Sequence, residues 1–361
     1  MAPKAYVVFN PSVDGTYGGA EIALGLIARK LSCFENMDVQ VLVGDYGQGD
    51  SEKAGNITLR KALDARGGAL KNGRRLLSVM SDVDADVYIQ RTLSIASTLI
   101  ALYCRVRRRR FIYWVAHDHE ADGGHPLYRR ATTRLAVRAL FRLASHIVVQ
   151  NDYESSELQK RFPGVRCTLI RKGIELPDGA SAADEVYDAV WVGRCDEWKN
   201  PAAFVRLARS NPSKRFLMIC PPAFGKEEDH GRLLEEASSC ANLEVRGRTK
   251  NREVLDLVRR SRIFCATSTQ EGDWPVVVLE AASLKKPILS LHLRYQGLLG
   301  EYGGGAWCDG DPVCFSHEFN VLLDNAELRR TMGEGAYRYV KDIHDVKEQT
   351  VRLLNLIDEL T

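Results

Sequence analysis

Several large classes are excluded by what the chain lacks. Its nine cysteines are scattered with no CxxC pair, and several sit inside apolar strand-like runs, where they read as small buried hydrophobes and not as a disulfide scaffold. That usage suits a reducing cytosol. No apolar run reaches the length of a membrane span, and no charged-plus-apolar leader precedes the strand-like Ala5–Phe9, so the expectation is a soluble, cytoplasmic protein. Neither GxGxxG nor a Walker-type GxxxxGK[ST] occurs, which removes support from dinucleotide and P-loop readings. Net charge is also scarce: at +3 the whole chain does not call for a polyanion, and with no recognised motif no nucleic-acid partner is expected.

What is present is a repeated alternation of short β-type runs and helical patterns. At 361 residues, two domains are the default. Strand-like Tyr6–Phe9, Val39–Val43, Val87–Ile89, Phe111–Ala116 and Ile147–Val149 are interleaved with helical stretches at Ala20–Leu31, Ser94–Tyr103 and Leu127–Ala144. The polar, aperiodic interval Lys172–Val186 reads as a boundary. Alternation then restarts through Ala189–Val192, Phe216–Ile219, Leu243–Val245, Ile263–Ala266 and Ile288–Leu291, and helical segments Ala326–Lys341 and Val346–Leu360 close the chain. This order predicts an α/β protein of two doubly wound, Rossmann-like domains, with ligand at the carboxyl ends of the strands in a central cleft.

Three constellations at strand ends can carry chemistry. Gly15-Thr-Tyr-Gly-Gly-Ala-Glu21 follows the first strand and opens a helix; Gly18 and Gly19 there let backbone approach an anion, though a plain tight turn fits equally. Val192-Gly-Arg-Cys-Asp-Glu-Trp-Lys-Asn-Pro201 puts Arg194 and Lys199 in a loop where two cations could hold a diphosphate, or simply form an ordinary surface loop. In Ser268-Thr-Gln-Glu-Gly-Asp-Trp-Pro-Val-Val-Val-Leu-Glu280, Pro275 suits the first helical position. That would leave the N–H groups of Val276, Val277 and Val278 free for a phosphate, between the carboxylates Glu271 and Glu280.

Taken together, Gly-Gly-Ala-Glu, Gly193-Arg194…Lys199-Asn-Pro and Glu271-Gly272…Pro-Val-Val-Val-Leu-Glu280-Ala resemble a retaining glycosyltransferase of the GT-B fold, closest in style to the large family 4 of nucleotide-sugar-dependent enzymes. The resemblance extends to Ala144–Tyr153, the Gly247 loop and Leu323–Tyr339, and so covers most of the chain. It implies an acceptor-side domain over 1–172, a donor-binding domain over 187–341, and a C-terminal helix over 342–361 packing back toward the first domain. It also implies a UDP- or GDP-sugar donor and a glycan or lipid-linked acceptor, in cell-surface polysaccharide or glycolipid synthesis, with no cofactor and no metal. By the same resemblance Arg194 and Lys199 neutralise the diphosphate, Glu271 contacts the donor sugar, Glu280 the ribose, and His117 the reacting sugar. Gly18 and Gly19 let the N-terminal loop close on the diphosphate.

The sequence departs from the family in three places. Eight residues lie between Glu271 and Glu280 where the family has seven, so either the loop is longer or Gly272 holds the position and Asp273 takes over. The family's Asn-Gly near the linker appears as Arg171-Lys172-Gly173, and its glycine-rich turn as Cys220-Pro-Pro-Ala-Phe-Gly225. No carboxylate pair suited to a covalent retaining mechanism is assignable, and the resemblance implies instead front-face attack with electrostatic support of the leaving group. An epimerase on the same fold and a non-catalytic nucleotide-sugar binder stand as alternatives.

Charge is concentrated locally. Arg105–Arg110 holds five arginines in six residues, and Arg130, Arg134, Arg138 and Arg142 recur at a spacing of four opposite apolar Val137, Leu140, Phe141 and Ala144. This is either a solvated face or a surface for anionic lipid headgroups, which would place the protein peripherally on the inner face of a membrane.

Overall fold

The computed structural model describes residues 4–9, 19–34, 37–45, 47–64, 66–177, 184–223, 225–271 and 274–361. They divide into two compact units, Met1–Gly173 with Val346–Thr361, and Ile174–Asp345.

The first unit is built on eight strands: β1 (Lys4–Phe9), β2 (Met37–Val43), β3 (Ser51–Ala54), β4 (Ile57–Lys61), β5 (Val87–Arg91), β6 (Arg110–Trp114), β7 (His146–Val149) and β8 (Cys167–Leu169). Their spatial order is β3-β4-β2-β1-β5-β6-β7-β8, parallel throughout except for β3 against β4. Central strands bury both faces, which is why they are nearly continuous in apolar residues. Along β6, Phe111 and Tyr113 join one core while Ile112 and Trp114 join the other. The first core takes Leu76, Ile100 and Leu140 from helices Ala69–Val83, Ile95–Arg107 and Ala131–Leu143. The opposite core takes Leu24, Ile27 and Leu31 from helix Gly19–Leu31, and Leu353 and Ile357 from the last helix, Val346–Leu360.

The second unit has six parallel strands: β9 (Tyr187–Val192), β10 (Phe216–Ile219), β11 (Leu243–Arg246), β12 (Ser261–Ala266), β13 (Ile288–Ser290) and β14 (Gly305–Trp307). Their order is β11-β10-β9-β12-β13-β14, so the chain starts at an inner strand, winds outward one way and then the other. The loops after β9 and β12 therefore leave the sheet side by side at the topological switch point.

One helix differs from the sequence expectation. The stretch 127–144 is not continuous: a 3-10 turn at Pro126–Tyr128 is followed by Ala131–Leu143 with Arg130 as its cap. Pro126 fixes the first turn, and extended backbone at Arg130 (φ −97°, ψ 140°) separates the two pieces. Among the described residues no helix is long and apolar enough to cross a membrane.

Candidate functional site

The second unit carries a shallow pocket at the carboxyl ends of β9 and β12, about 250 Å³ when the solvent space at its mouth is counted. Its lining includes Lys199, Thr267, Glu271, Pro275, Val277 and Tyr295. Two loops far apart in sequence are tied together there. The Trp191 indole N–H donates to Thr267 Oγ1 (2.8 Å), and Thr267 Oγ1 donates to the Lys199 carbonyl (2.7 Å). The Thr269 N–H donates to the Trp198 carbonyl (2.8 Å). Asn200 turns the chain in the left-handed region (φ 49°) so that Pro201 can begin helix Pro201–Ser210. This brings Lys199 Nζ to 2.5 Å from Glu271 Oε1, with both side chains mostly buried.

Pro275 is not the first helical residue. It caps helix Val276–Ser283 with extended backbone (ψ 126°), and its carbonyl accepts from Val278 N–H at 3.1 Å. Only Val276 and Val277 then keep first-turn N–H groups without an intrahelical acceptor, so the anion-binding end is shorter by one amide than the sequence suggests. Pro275 and Val277 line the pocket; Val276 does not.

Arg194 is also placed differently from the expectation of two cations sharing one ligand. Its guanidinium is exposed and donates to Asp196 Oδ2 (2.9 Å), outside the pocket lining. A carboxylate two residues away offers Arg194 a nearby partner, which spacing alone did not weigh. Glu280 is buried, and its Oε1 accepts from Asn251 Nδ2 at 2.9 Å. Burial pushes the Glu280 carboxyl up to about 7, against the smaller opposing effect of that hydrogen bond. Gly18, Gly272 and Asp273 lie outside the described residues, and Gly19 is the first residue of helix Gly19–Leu31.

His117 belongs to the first unit. It caps the short helix Asp118–Asp122, its Nδ1 accepting from His119 N–H (3.3 Å), and its ring stacks on His119 at 4.8 Å. Burial, then the neighbouring His119, hold its pKa below the ordinary imidazole value. Close by, the buried Glu120 accepts from the Tyr113 hydroxyl (2.7 Å), Leu93 N–H and Ala116 N–H (both 3.0 Å), which fixes the loop after β6.

Trp191, Thr267 and Tyr295 were not legible as site residues. Only their position beside strand ends could have marked them.

Against known proteins, residues 177–339 match the glycosyl transferases group 1 family. That match spans nearly the whole of the second unit, Ile174–Asp345. The pocket and every second-unit candidate named above fall inside that match. The chain is 21% identical over 316 residues to an uncharacterized glycosyltransferase of Methanocaldococcus jannaschii, covering 79% of this chain and 78% of that one. A crystal structure of Anabaena HepE in complex with UDP and glucose superimposes with a TM-score of 0.75 at 14% identity, over 99% of this chain and 100% of that one. A Rickettsia africae glycosyltransferase structure also reaches 0.75, at 11% identity, over 100% of this chain and 99% of that one. The fold is GT-B, and the group 1 match falls within its second unit.

Proposed function

We propose that the protein is a retaining, family 4 type hexosyltransferase that takes a sugar from a UDP- or GDP-sugar and passes it to a glycan or lipid-linked acceptor in cell-surface polysaccharide or glycolipid synthesis. The observation that carries this is the Lys199–Glu271 pair beside the Val276 helix start, in one pocket at the switch point of the second unit. A cation and a free amide suit a leaving diphosphate, and a carboxylate suits sugar hydroxyls. Charge that develops on the diphosphate would be met by Lys199 and the Val277 amide. Arg194 adds its own charge by leaving Asp196, and no metal is needed in this scheme. Glu280 is assigned to the ribose and His117 to the reacting sugar on family resemblance. The UDP, UDP-glucose and glucose held in HepE structures support a uridine donor.

The test is thermal unfolding with UDP, GDP, CDP, ADP and TDP in the presence of EDTA. A diphosphate at about 100 times its dissociation constant stabilises the fold by about 2.7 kcal/mol. Lys199→Ala is expected to weaken that ligand about tenfold or more, because a charge-assisted contact is lost. Unaltered binding in Lys199→Ala would remove Lys199 from the site. Binding without transfer would favour the non-catalytic alternative, and turnover without acceptor the epimerase.

A second reading concerns the first unit, where we propose docking to an anionic membrane surface. Leu102 and Val106 on helix Ile95–Arg107 are 50% and 71% exposed, and Leu135 on the adjoining helix is 68% exposed. They sit among exposed Arg105, Arg107, Arg108, Arg110, Arg130, Arg134, Arg138 and Arg142, and such mixed apolar and basic surface suits headgroups above acyl chains. Of the five arginines in Arg105–Arg110, Arg109 is held by Asp84 (2.6 Å) and Asp86 (3.3 Å), and Arg107 lies 3.7 Å from Asp84.

A further inference from the structure

Tyr295 follows β13 and carries no signal in the sequence. Its ring stacks on Trp274 with centroids 5.3 Å apart and planes at 28°, and Trp274 rests in turn on Tyr339 at 5.1 Å. An aromatic stack thus sets the position of the phenol, which lines the same pocket as Lys199 and Glu271. The hydroxyl is buried and has no hydrogen-bond partner among the described residues. Folded proteins rarely leave such a group alone, because it has given up water and gained nothing in return. An unpaired buried donor in the wall of a ligand pocket is an interaction left for the ligand.

The neighbouring chemistry narrows what that ligand group is. Burial, and then the charge of Glu271, push the Tyr295 phenol above its ordinary range, so it stays protonated and offers its proton. The Glu271 carboxylate can only accept; Lys199 holds Oε1, and Oε2 remains. A donor and an acceptor lining one pocket match an atom that both receives and gives a hydrogen bond. A hydroxyl does this; a phosphate oxygen would be repelled by Glu271 and has no proton for it.

We infer that Tyr295 and Glu271 together read one hydroxyl of the bound sugar, Tyr295 donating to it and Glu271 accepting from it, an inference that rests on the donor-site reading above. Sites that pair a substrate hydroxyl discriminate more sharply than sites that only enclose it. Tyr295 is then a determinant of sugar specificity within the second unit, distinct from the groups assigned to the diphosphate.

Tyr295→Phe keeps the ring and the Trp274 stack and removes only the oxygen. Dissociation constants for UDP and UDP-glucose, measured by calorimetry on the full chain, give a ratio that is insensitive to the folded fraction. The expected result is UDP bound as in the wild type and UDP-glucose weakened about five- to tenfold, as for one lost hydrogen bond. An unchanged ratio overturns the inference and leaves the donor site standing. An equal loss for both ligands also overturns it, moving the hydroxyl to the diphosphate or to the fold. If neither these ligands nor GDP and GDP-mannose bind the wild type, the donor-site reading fails, and the inference goes with it.

Discussion

Glu280 lies one turn into an apolar helix, buried, with the Asn251 amide holding its Oε1. Water would solvate the charged form far better than this surrounding does, so the carboxyl rises from 4.5 to about 7. A folded value above the unfolded one means that protonation favours the fold. That contribution is fully present below about 4.5 and is lost as pH climbs through about 7. The most it can amount to is about 3 kcal/mol, from a difference of 2.5 between 4.5 and 7. Glu280→Gln keeps an oxygen for Asn251 and cannot ionise. Urea unfolding at pH 5 and pH 8 should therefore show the variant losing less stability with pH than the wild type. Identical slopes for the two proteins would mean that Glu280 is already solvated or paired in solution.

Helices Ile95–Arg107 and Ala131–Leu143 lie against each other, with Thr98 Oγ1 donating to the Ala136 carbonyl (3.0 Å), and their outer residues make the mixed apolar and basic surface described above. Each arginine near an anionic bilayer contributes about 1 kcal/mol, so Arg134→Glu with Arg138→Glu should cut binding to phosphatidylglycerol vesicles more than tenfold. Leu135→Asp should also weaken it, with UDP binding untouched in both. Equal sedimentation with neutral phosphatidylcholine vesicles would count against a charge-led surface. Most buried strands were legible because Val87-Tyr-Ile89 or Ile147-Val-Val149 leave little else for the chain to do. Edge elements were not. Ser51–Ala54 is exposed along its whole length, and the three-residue Gly305–Trp307 follows Gly303 and Gly304 so directly that it reads as a loop. Helix Ala69–Val83 carries Gly73 in its interior, and only Leu76 and Met80 are buried.

Across the molecule the site was legible only in part. Lys199 and Glu271 could each be singled out from local sequence, yet their contact spans 72 positions and exists because β9 and β12 are neighbours. Whole-chain topology also decides where the C-terminus belongs. Helix Ala326–His344 packs in the second unit, while Val346–Leu360, directly after Asp345, completes the first. Leu353 is fully buried there, in the same core as Leu24 and Ile27, Val87 and Ile89. Truncating a buried leucine to alanine costs about 2–5 kcal/mol through lost transfer energy and the cavity left behind. Leu353→Ala should therefore speed hydrogen exchange in β1, β2, β5 and the helix Gly19–Leu31, all of them far away in sequence. Strands β9 to β13 should exchange as before, since Leu353 contributes nothing to either core of the second unit. Faster exchange confined to Val346–Leu360 itself would show that the last helix adds no stability to the unit it completes.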